Sequence, residues 1–143
     1  LATCENMDDF LDIMGPYKDH YPDWRQNTLK EIYMHIYPSL FLNQYTVNRD
    51  EDGVYGFTNW AFLDEKTEQK FLDERSLDID DWKTGDRTWI IDTIYTKEHN
   101  IMKFNKTFFT HLLGPGKTVQ WLRLSPLGFI KNHFKVITKE HWL

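Results

Sequence analysis

Residues 81–92 read Asp81-Trp-Lys-Thr-Gly-Asp-Arg-Thr-Trp-Ile-Ile-Asp92, a polar turn that leads directly into a run of β-forming residues. Glycine beside aspartate is typical of a turn. The run Thr88–Tyr95 is rich in β-branched and aromatic residues and predicts a buried strand. Asp92, near the end of that strand, has two interpretations: a structural partner for an arginine, or a functional carboxylate.

The N-terminal part of the chain predicts two helices. Apolar residues recur at i, i+3, i+4 and i+7 over residues 7–14, which is typical of an amphipathic helix that ends at Gly15-Pro16. The next segment predicts a loop that contains His20. A second helix is expected from about Asn27, with a kink or a restart at Pro38 because proline disrupts a helix interior.

The middle of the chain predicts a β-hairpin, since two β-rich segments, 44–48 and 54–62, are joined by the polar turn Arg49–Gly53. In a helix expected over residues 100–113, the stripe predicted to face the core contains Ile101, Phe104, Phe108 and Leu112. The remaining predicted elements are a helix at 64–75 and strands at 118–124 and 134–137. This order favours an α+β fold with a mixed sheet, in one domain over residues 1–143.

Composition restricts the class of function. A net charge of -5 argues against a nucleic-acid partner, because affinity for nucleic acid comes largely from neutralising phosphates. No apolar run approaches the roughly 20 residues of a membrane-spanning helix. The single cysteine, Cys4, excludes an internal disulfide framework and favours a reducing cytoplasm, and no histidine pair has metal-binding spacing. Because Leu1 is not an initiator Met, we expect the natural start to have been removed or to lie upstream.

A wider pattern resembles a known family. Asn43-Gln-Tyr45 is followed by Asn59-Trp-Ala61 in the second hairpin strand and then by the segment 81–92. In this order the three motifs resemble those of the RTX toxin-activating lysine-acyltransferases, bacterial enzymes that attach a fatty acyl group to internal lysines of a pore-forming toxin. The resemblance covers about residues 17–94. It implies a fold similar to that of the GCN5-related N-acetyltransferases.

The resemblance also implies a catalytic histidine and aspartate. The aspartate corresponds to Asp92 and the histidine to His20, with His35 in the second helix as the competing candidate. A histidine can take the proton of the acceptor lysine, and an aspartate can orient or stabilise the imidazole. Trp60 and Trp89 are expected to face the core, with a secondary role at an acyl groove. The substrate-binding residues suggested by the resemblance are Arg87, Trp89 and Trp60.

The same resemblance indicates the acyl donor and the partners. No glycine-rich coenzyme A loop follows the Asp92 strand, and the family takes its acyl chain from acyl-acyl carrier protein instead. No bound cofactor is therefore expected, and the implied partners are acyl carrier protein, a toxin-like acceptor and a second copy in a homodimer. Acyl carrier protein is acidic, so its docking surface should be basic. Basic residues of the C-terminal half that could form this surface, or else an ordinary solvated face, include Lys97, Lys103, Lys106, Lys117, Arg123, Lys131 and Lys135.

A second hypothesis is a catalytically silent member of the fold, for example a viral or accessory protein that only binds a partner. The family commonly continues after the aspartate with a Pro-Phe-Gly-like turn, whereas this chain continues Thr93-Ile-Tyr-Thr-Lys-Glu-His99. The chain also ends at Leu143, which is short for the family. These departures favour the silent protein. Retention of W-x-T-G-D-R-x-W-x-x-D favours the enzyme, which is the function that we expect.

Overall fold

The structure, a computed structural model, describes residues 4–20, 28–95, 101–125, 127 and 129–143. Within these residues the strands form one sheet in the order β1-β2-β3-β4-β5. The β1–β2 and β4–β5 pairs are antiparallel and the β3–β4 pair is parallel. The predicted α+β class with a mixed sheet is confirmed, and it is consistent with a GCN5-related acetyltransferase fold. The elements are α1 (Cys4–His20), α2 (Leu29–Phe41), β1 (Tyr45–Asp50), β2 (Gly53–Leu63), α3 (Glu65–Glu74), β3 (Arg87–Tyr95), α4 (Ile101–Leu113), β4 (Thr118–Leu124) and β5 (Ile130–Ile137).

The described residues pack as two compact units. The first contains α1, α2, β1, the part of β2 up to Trp60 and the part of β3 from Asp92 onward. The second contains α3, α4, β4, β5 and the remaining parts of β2 and β3. No helix in these ranges is both long and apolar enough to cross a bilayer. One domain over residues 1–143 remains a prediction.

Helix α1 does not end at Gly15-Pro16, as the sequence predicted, but continues to His20. Phe10, Ile13 and Tyr17 are all buried, so the apolar stripe of the helix crosses the proline. Burial of the tyrosine beyond the proline compensates for the backbone hydrogen bond that the proline cannot donate. His20 therefore lies in the last turn of a helix and not in the predicted loop.

Helix α2 begins with a reciprocal cap. The Thr28 hydroxyl accepts from the Glu31 N–H at 3.2 Å, and the Glu31 carboxylate accepts from the Thr28 N–H at 3.3 Å. The predicted start at Asn27 lies outside the described residues. The helix does not restart at Pro38, which stays within it and is buried. Ile32 and Ile36 face the core of the first unit from this helix.

The predicted hairpin is confirmed. Strands β1 and β2 pair from Tyr45 opposite Asn59 to Asp50 opposite Gly53. Gly53 has φ +116°, a conformation that a residue with a Cβ rarely adopts. The turn is closed by the Asp50 carboxylate, which accepts from the Asp52 N–H at 2.8 Å.

One strand boundary and one buried helix face in the C-terminal part differ from prediction. Strand β5 begins at Ile130, earlier than predicted, because it pairs with the whole length of β4 while nearly all of its side chains are exposed. In α4, Phe104 and Leu112 are exposed, so the predicted stripe is wrong at these positions. Residues 96–100, with the predicted start of this helix, lie outside the described residues. The buried face consists of Ile101, Asn105, Phe109 and Thr110, and its two polar members concealed it from the apolar pattern.

The turn within residues 81–92 is fastened to the end of β2 in the second unit. The Phe62 carbonyl accepts from the Thr84 N–H at 2.7 Å and from the Gly85 N–H at 3.1 Å, and the Phe62 N–H donates to the Trp82 carbonyl at 3.0 Å. A Cβ on Gly85 would lie 2.6 Å from the Asp64 backbone N and Cα. This turn therefore requires glycine because two backbone segments approach each other closely.

Candidate functional site

A carboxylate and an imidazole form a pair in the first unit. His35 Nε2 of α2 lies 3.6 Å from Asp92 Oδ2 of β3. The Asp92 side chain is 9% exposed, whereas the His35 side chain is 39% exposed. The imidazole therefore faces a largely buried carboxylate and is still open to solvent, an arrangement suited to proton transfer.

Asn59 of β2 contacts Asp92 at two points. Its Oδ1 accepts from the Asp92 backbone N–H at 2.7 Å, and its Nδ2 donates to Asp92 Oδ2 at 3.4 Å. The same Nδ2 donates to the Ser39 hydroxyl at 3.1 Å, and that hydroxyl donates to the Ile36 carbonyl at 2.7 Å. Asn59 and Ser39 are fully buried. Strand β2 and helix α2 thus both contribute to the surroundings of one carboxylate.

Sequence reasoning did not assign a role to Asn59 or Ser39. The available signal was the spacing of His35 and Ser39, which are four residues apart and so lie on the same side of a helix. In the sequence, Asn59 was noted only as the first residue of the motif Asn59-Trp-Ala61. Neither pattern indicates a carboxylate partner without the fold.

Asp92 controls the protonation of His35. Burial lowers the pKa of His35, but the polar contact with the Asp92 carboxylate and its negative charge together raise it by more. The pKa of His35 therefore lies above its ordinary value of 6.5. The Tyr17 ring of α1 also lies near the imidazole, with 6.3 Å between the ring centroids.

His20, the histidine predicted from the resemblance, lies in the last turn of α1. Its ring centroid is 5.6 Å from that of Tyr95. Burial lowers the pKa of His20, and the charge of Asp92 offsets part of this effect. Asp92 therefore acts electrostatically on both histidines, and the contact at 3.6 Å is the one with His35.

We expect the free energy of unfolding to depend on pH through these two histidines, with opposite signs. The pKa of His35 is raised in the fold, so its contribution is fully present below 6.5 and is lost as pH rises through the folded value. The pKa of His20 is lowered, so it costs stability as pH falls from 6.5 through the folded value. Urea unfolding of the parent and of His35→Gln over about pH 5 to 9 tests this. If the parent loses no more stability above 6.5 than the variant, the assigned sign for His35 is wrong.

Trp60 is buried in the first unit and joins two of the matching motifs. The backbone N–H of Trp60 donates to the Gln44 carbonyl at 3.0 Å, and the backbone carbonyl of Trp60 accepts from Gln44 Nε2 at 2.9 Å. Asn43-Gln-Tyr45 and Asn59-Trp-Ala61 are therefore in direct contact. The spacing between them in the sequence reflects the pairing of β1 with β2.

Trp89 and Arg87 lie in the second unit, where both contact Glu68 of α3. Trp89 Nε1 donates to Glu68 Oε2 and Arg87 Nη1 donates to Glu68 Oε1, each at 2.8 Å. Gln120 Nε2 donates to the same carboxylate at 3.2 Å. The predicted burial of Trp60 and Trp89 is confirmed. The substrate-binding role of Arg87, Trp89 and Trp60 remains a prediction.

No group of three or more histidine, cysteine, aspartate or glutamate side chains with the arrangement of a metal site occurs in the described part of the chain. The titratable groups that the structure brings together at the candidate site include those of Asp92, His35 and His20, with the Tyr17 ring beside His35.

The chain matches a known protein family and is similar in sequence to several known proteins. Residues 17–136 match the model of the RTX toxin acyltransferase family. The protein-lysine myristoyltransferase HlyC of Escherichia coli is 37% identical over 111 residues, which cover 76% of this chain and 60% of that protein. The RTX-I toxin-activating lysine-acyltransferase ApxIC of Actinobacillus pleuropneumoniae is 36% identical over 74 residues, 51% of this chain and 43% of that protein. The leukotoxin-activating lysine-acyltransferase LtxC of Aggregatibacter actinomycetemcomitans is 33% identical over 84 residues, 58% and 50% of the two chains. The chain spans about half the length of these relatives.

Proposed function

Because this chain belongs to the RTX toxin acyltransferase family, we propose that it is a protein-lysine acyltransferase. It moves a fatty acyl group from acyl-acyl carrier protein to an internal lysine of a toxin-like acceptor protein. The observation that carries the proposal is the 3.6 Å contact between His35 and Asp92, two residues within the segment matched by the family model.

The proposed reaction needs a base and a second group that stabilises the protonated form of that base. The lysine amine attacks the thioester carbon, His35 takes the amine proton, and the C–N bond forms. The tetrahedral intermediate then breaks its C–S bond, and the proton passes to the leaving thiolate. Asp92 stabilises the imidazolium that exists between these two proton transfers. A pKa above 6.5 makes His35 a stronger base than an ordinary histidine.

The donor docks, in this proposal, through the negative surface of acyl carrier protein. Charge complementarity with exposed lysines and arginine speeds such an encounter. Lys97, one of the basic residues considered, lies outside the described residues. The others are exposed side chains: Lys103, Lys106, Lys117, Arg123, Lys131 and Lys135. A cytoplasmic location and a homodimer belong to the same proposal.

The test is transfer from a defined donor to a defined acceptor, followed by mass spectrometry. Myristoyl-acyl carrier protein is the donor probe, and a purified glycine-aspartate-repeat toxin is the acceptor probe. We expect the parent to add one myristoyl mass to an acceptor lysine. We expect His35→Gln to lower the initial rate by about 10²- to 10³-fold, the usual effect of removing a general base.

Two further variants separate the histidines. His111→Gln changes an exposed histidine of α4 in the second unit and should leave the rate unchanged. His20→Gln should retain most of the activity if His35 is the base. Loss of activity in His20→Gln with retention in His35→Gln transfers the catalytic role to His20. Absence of transfer by the parent favours the catalytically silent binding protein.

A further inference from the structure

We propose that Asn59 and Ser39 are positioning residues that hold the Asp92 carboxylate against His35. The catalytic consequence of this arrangement rests on the proposed acyl transfer, whereas its effect on His35 does not. Neither residue touches the reacting atoms. Asn59 acts through its contacts with Asp92, and Ser39 acts through its contact with Asn59.

The direction of every hydrogen bond in this group is determined. Asn59 Oδ1 must face the Asp92 N–H, because an amide nitrogen there would meet a second donor. Asn59 Nδ2 consequently points to Ser39 Oγ and to Asp92 Oδ2. The Ser39 proton is used on the Ile36 carbonyl, so the Ser39 oxygen acts as the acceptor. The amide of Asn59 therefore has one favourable orientation, and in it the amide donates to the carboxylate.

Asn59 and Ser39 orient the Asp92 carboxylate without neutralising its charge. The side chains of Asn59 and Ser39 are uncharged, whereas an arginine or lysine in their place would compete with His35 for the charge of Asp92. The Asn59 bond to Asp92 Oδ2 is long, at 3.4 Å, and that oxygen also faces His35 at 3.6 Å. The negative charge thus remains available to an imidazolium.

Burial makes the arrangement sensitive to substitution. Asn59 and Ser39 are fully buried and Asp92 is nearly so, so water does not readily replace a lost contact. Without the Nδ2 donor, the carboxylate can rotate away from His35. Misplacement of a catalytic group by about 1 Å is enough to lower turnover by about 10²-fold.

The test combines a titration with kinetics. NMR titration of the His35 ring measures its pKa, which depends on how closely the Asp92 charge faces the ring. The other titratable groups nearby are the Tyr17 hydroxyl and the His20 imidazole. We expect Asn59→Ala to lower this pKa and to lower kcat by about 10- to 100-fold with little change in KM. Ser39→Ala should act in the same direction with a smaller effect. The matched control is Thr58→Val, which removes the neighbouring contact between the Thr58 and Thr93 hydroxyls and should change neither quantity.

Ser39→Ala is the second variant, for the case that Asn59→Ala does not fold. It removes the acceptor that holds Asn59 Nδ2 on the side of α2 but leaves Asn59 and Asp92 in place, so kcat should fall in a folded protein. A His35 pKa and a kcat equal to those of the parent in the folded variants overturn the inference. Loss of kcat with an unchanged His35 pKa in Asn59→Ala also overturns it, since the role is then structural. If the parent itself transfers no acyl group, the proposed function fails, and the His35 pKa alone decides whether Asn59 positions Asp92.

Discussion

Replacement of Asp92 by Asn is expected to lower acyl transfer by about 10³-fold or more while the protein remains folded. The amide keeps the size of the side chain and can still accept from Asn59 Nδ2. It removes the negative charge that faces His35 at 3.6 Å and that stabilises the imidazolium formed during transfer. In serine proteases, loss of the carboxylate beside the catalytic histidine has an effect of about 10⁴-fold.

The pH profile identifies the cause of the loss. Without the Asp92 charge, burial is the dominant influence on His35 and its pKa should fall below that of the parent. The acid limb of the rate profile should therefore move to lower pH in Asp92→Asn. Asp12→Asn is the control, because it removes one charge from the same unit at an exposed side chain that pairs with Arg49. Parent-like transfer by Asp92→Asn would exclude a catalytic role for this carboxylate.

Replacement of Gly85 by Ala is expected to destabilise the protein by about 2–3 kcal/mol. The added Cβ would lie 2.6 Å from the Asp64 N and Cα and 2.7 Å from the Leu63 carbonyl carbon, all backbone atoms. Relief of this overlap requires the turn to separate from the end of β2, where Phe62 accepts from the Gly85 N–H. Hydrogen bonds of the turn are then lengthened or lost.

Urea unfolding measures this effect, and a second glycine supplies the control. Gly15 lies within α1 and has open space where a Cβ would be built. Gly15→Ala should therefore have a smaller effect than Gly85→Ala, about 1 kcal/mol or less, because the gain of alanine over glycine in a helix is opposed by the unfavourable position of a Cβ directly before Pro16. An unfolding midpoint of Gly85→Ala equal to that of the parent would contradict the close approach of the two backbone segments.

The predictions that hold are those whose physical cause lies within a few residues. The hairpin follows from β-forming segments on either side of a polar turn that ends in Gly53. Helix α3 follows from its charged pattern and its Asp64 cap, which accepts from the Thr67 N–H at 2.7 Å. The sequence also sufficed for the family, because its motifs are short local patterns that can be recognised without the fold.

The predictions that fail depend on burial against distant segments. Helix α1 continues beyond Pro16 because Tyr17 is buried in the first unit, a gain in free energy that local propensity does not contain. The buried face of α4 includes Asn105, which a polarity pattern assigns to solvent. In both cases the tertiary environment outweighs the local preference.

By itself the sequence determined the fold class, through the order of its locally encoded elements. It also determined the family and Asp92 as the candidate carboxylate, through three short motifs in a fixed order. The contact of that carboxylate with His35, and the positions of Asn59 and Ser39 beside it, were decided only by the tertiary structure. These groups come from one helix and two strands and share no local motif. Their proximity arises from the packing of α2 on the sheet residues of the first unit, where Ile36 of α2, Phe57 of β2 and Ile94 of β3 form one buried cluster.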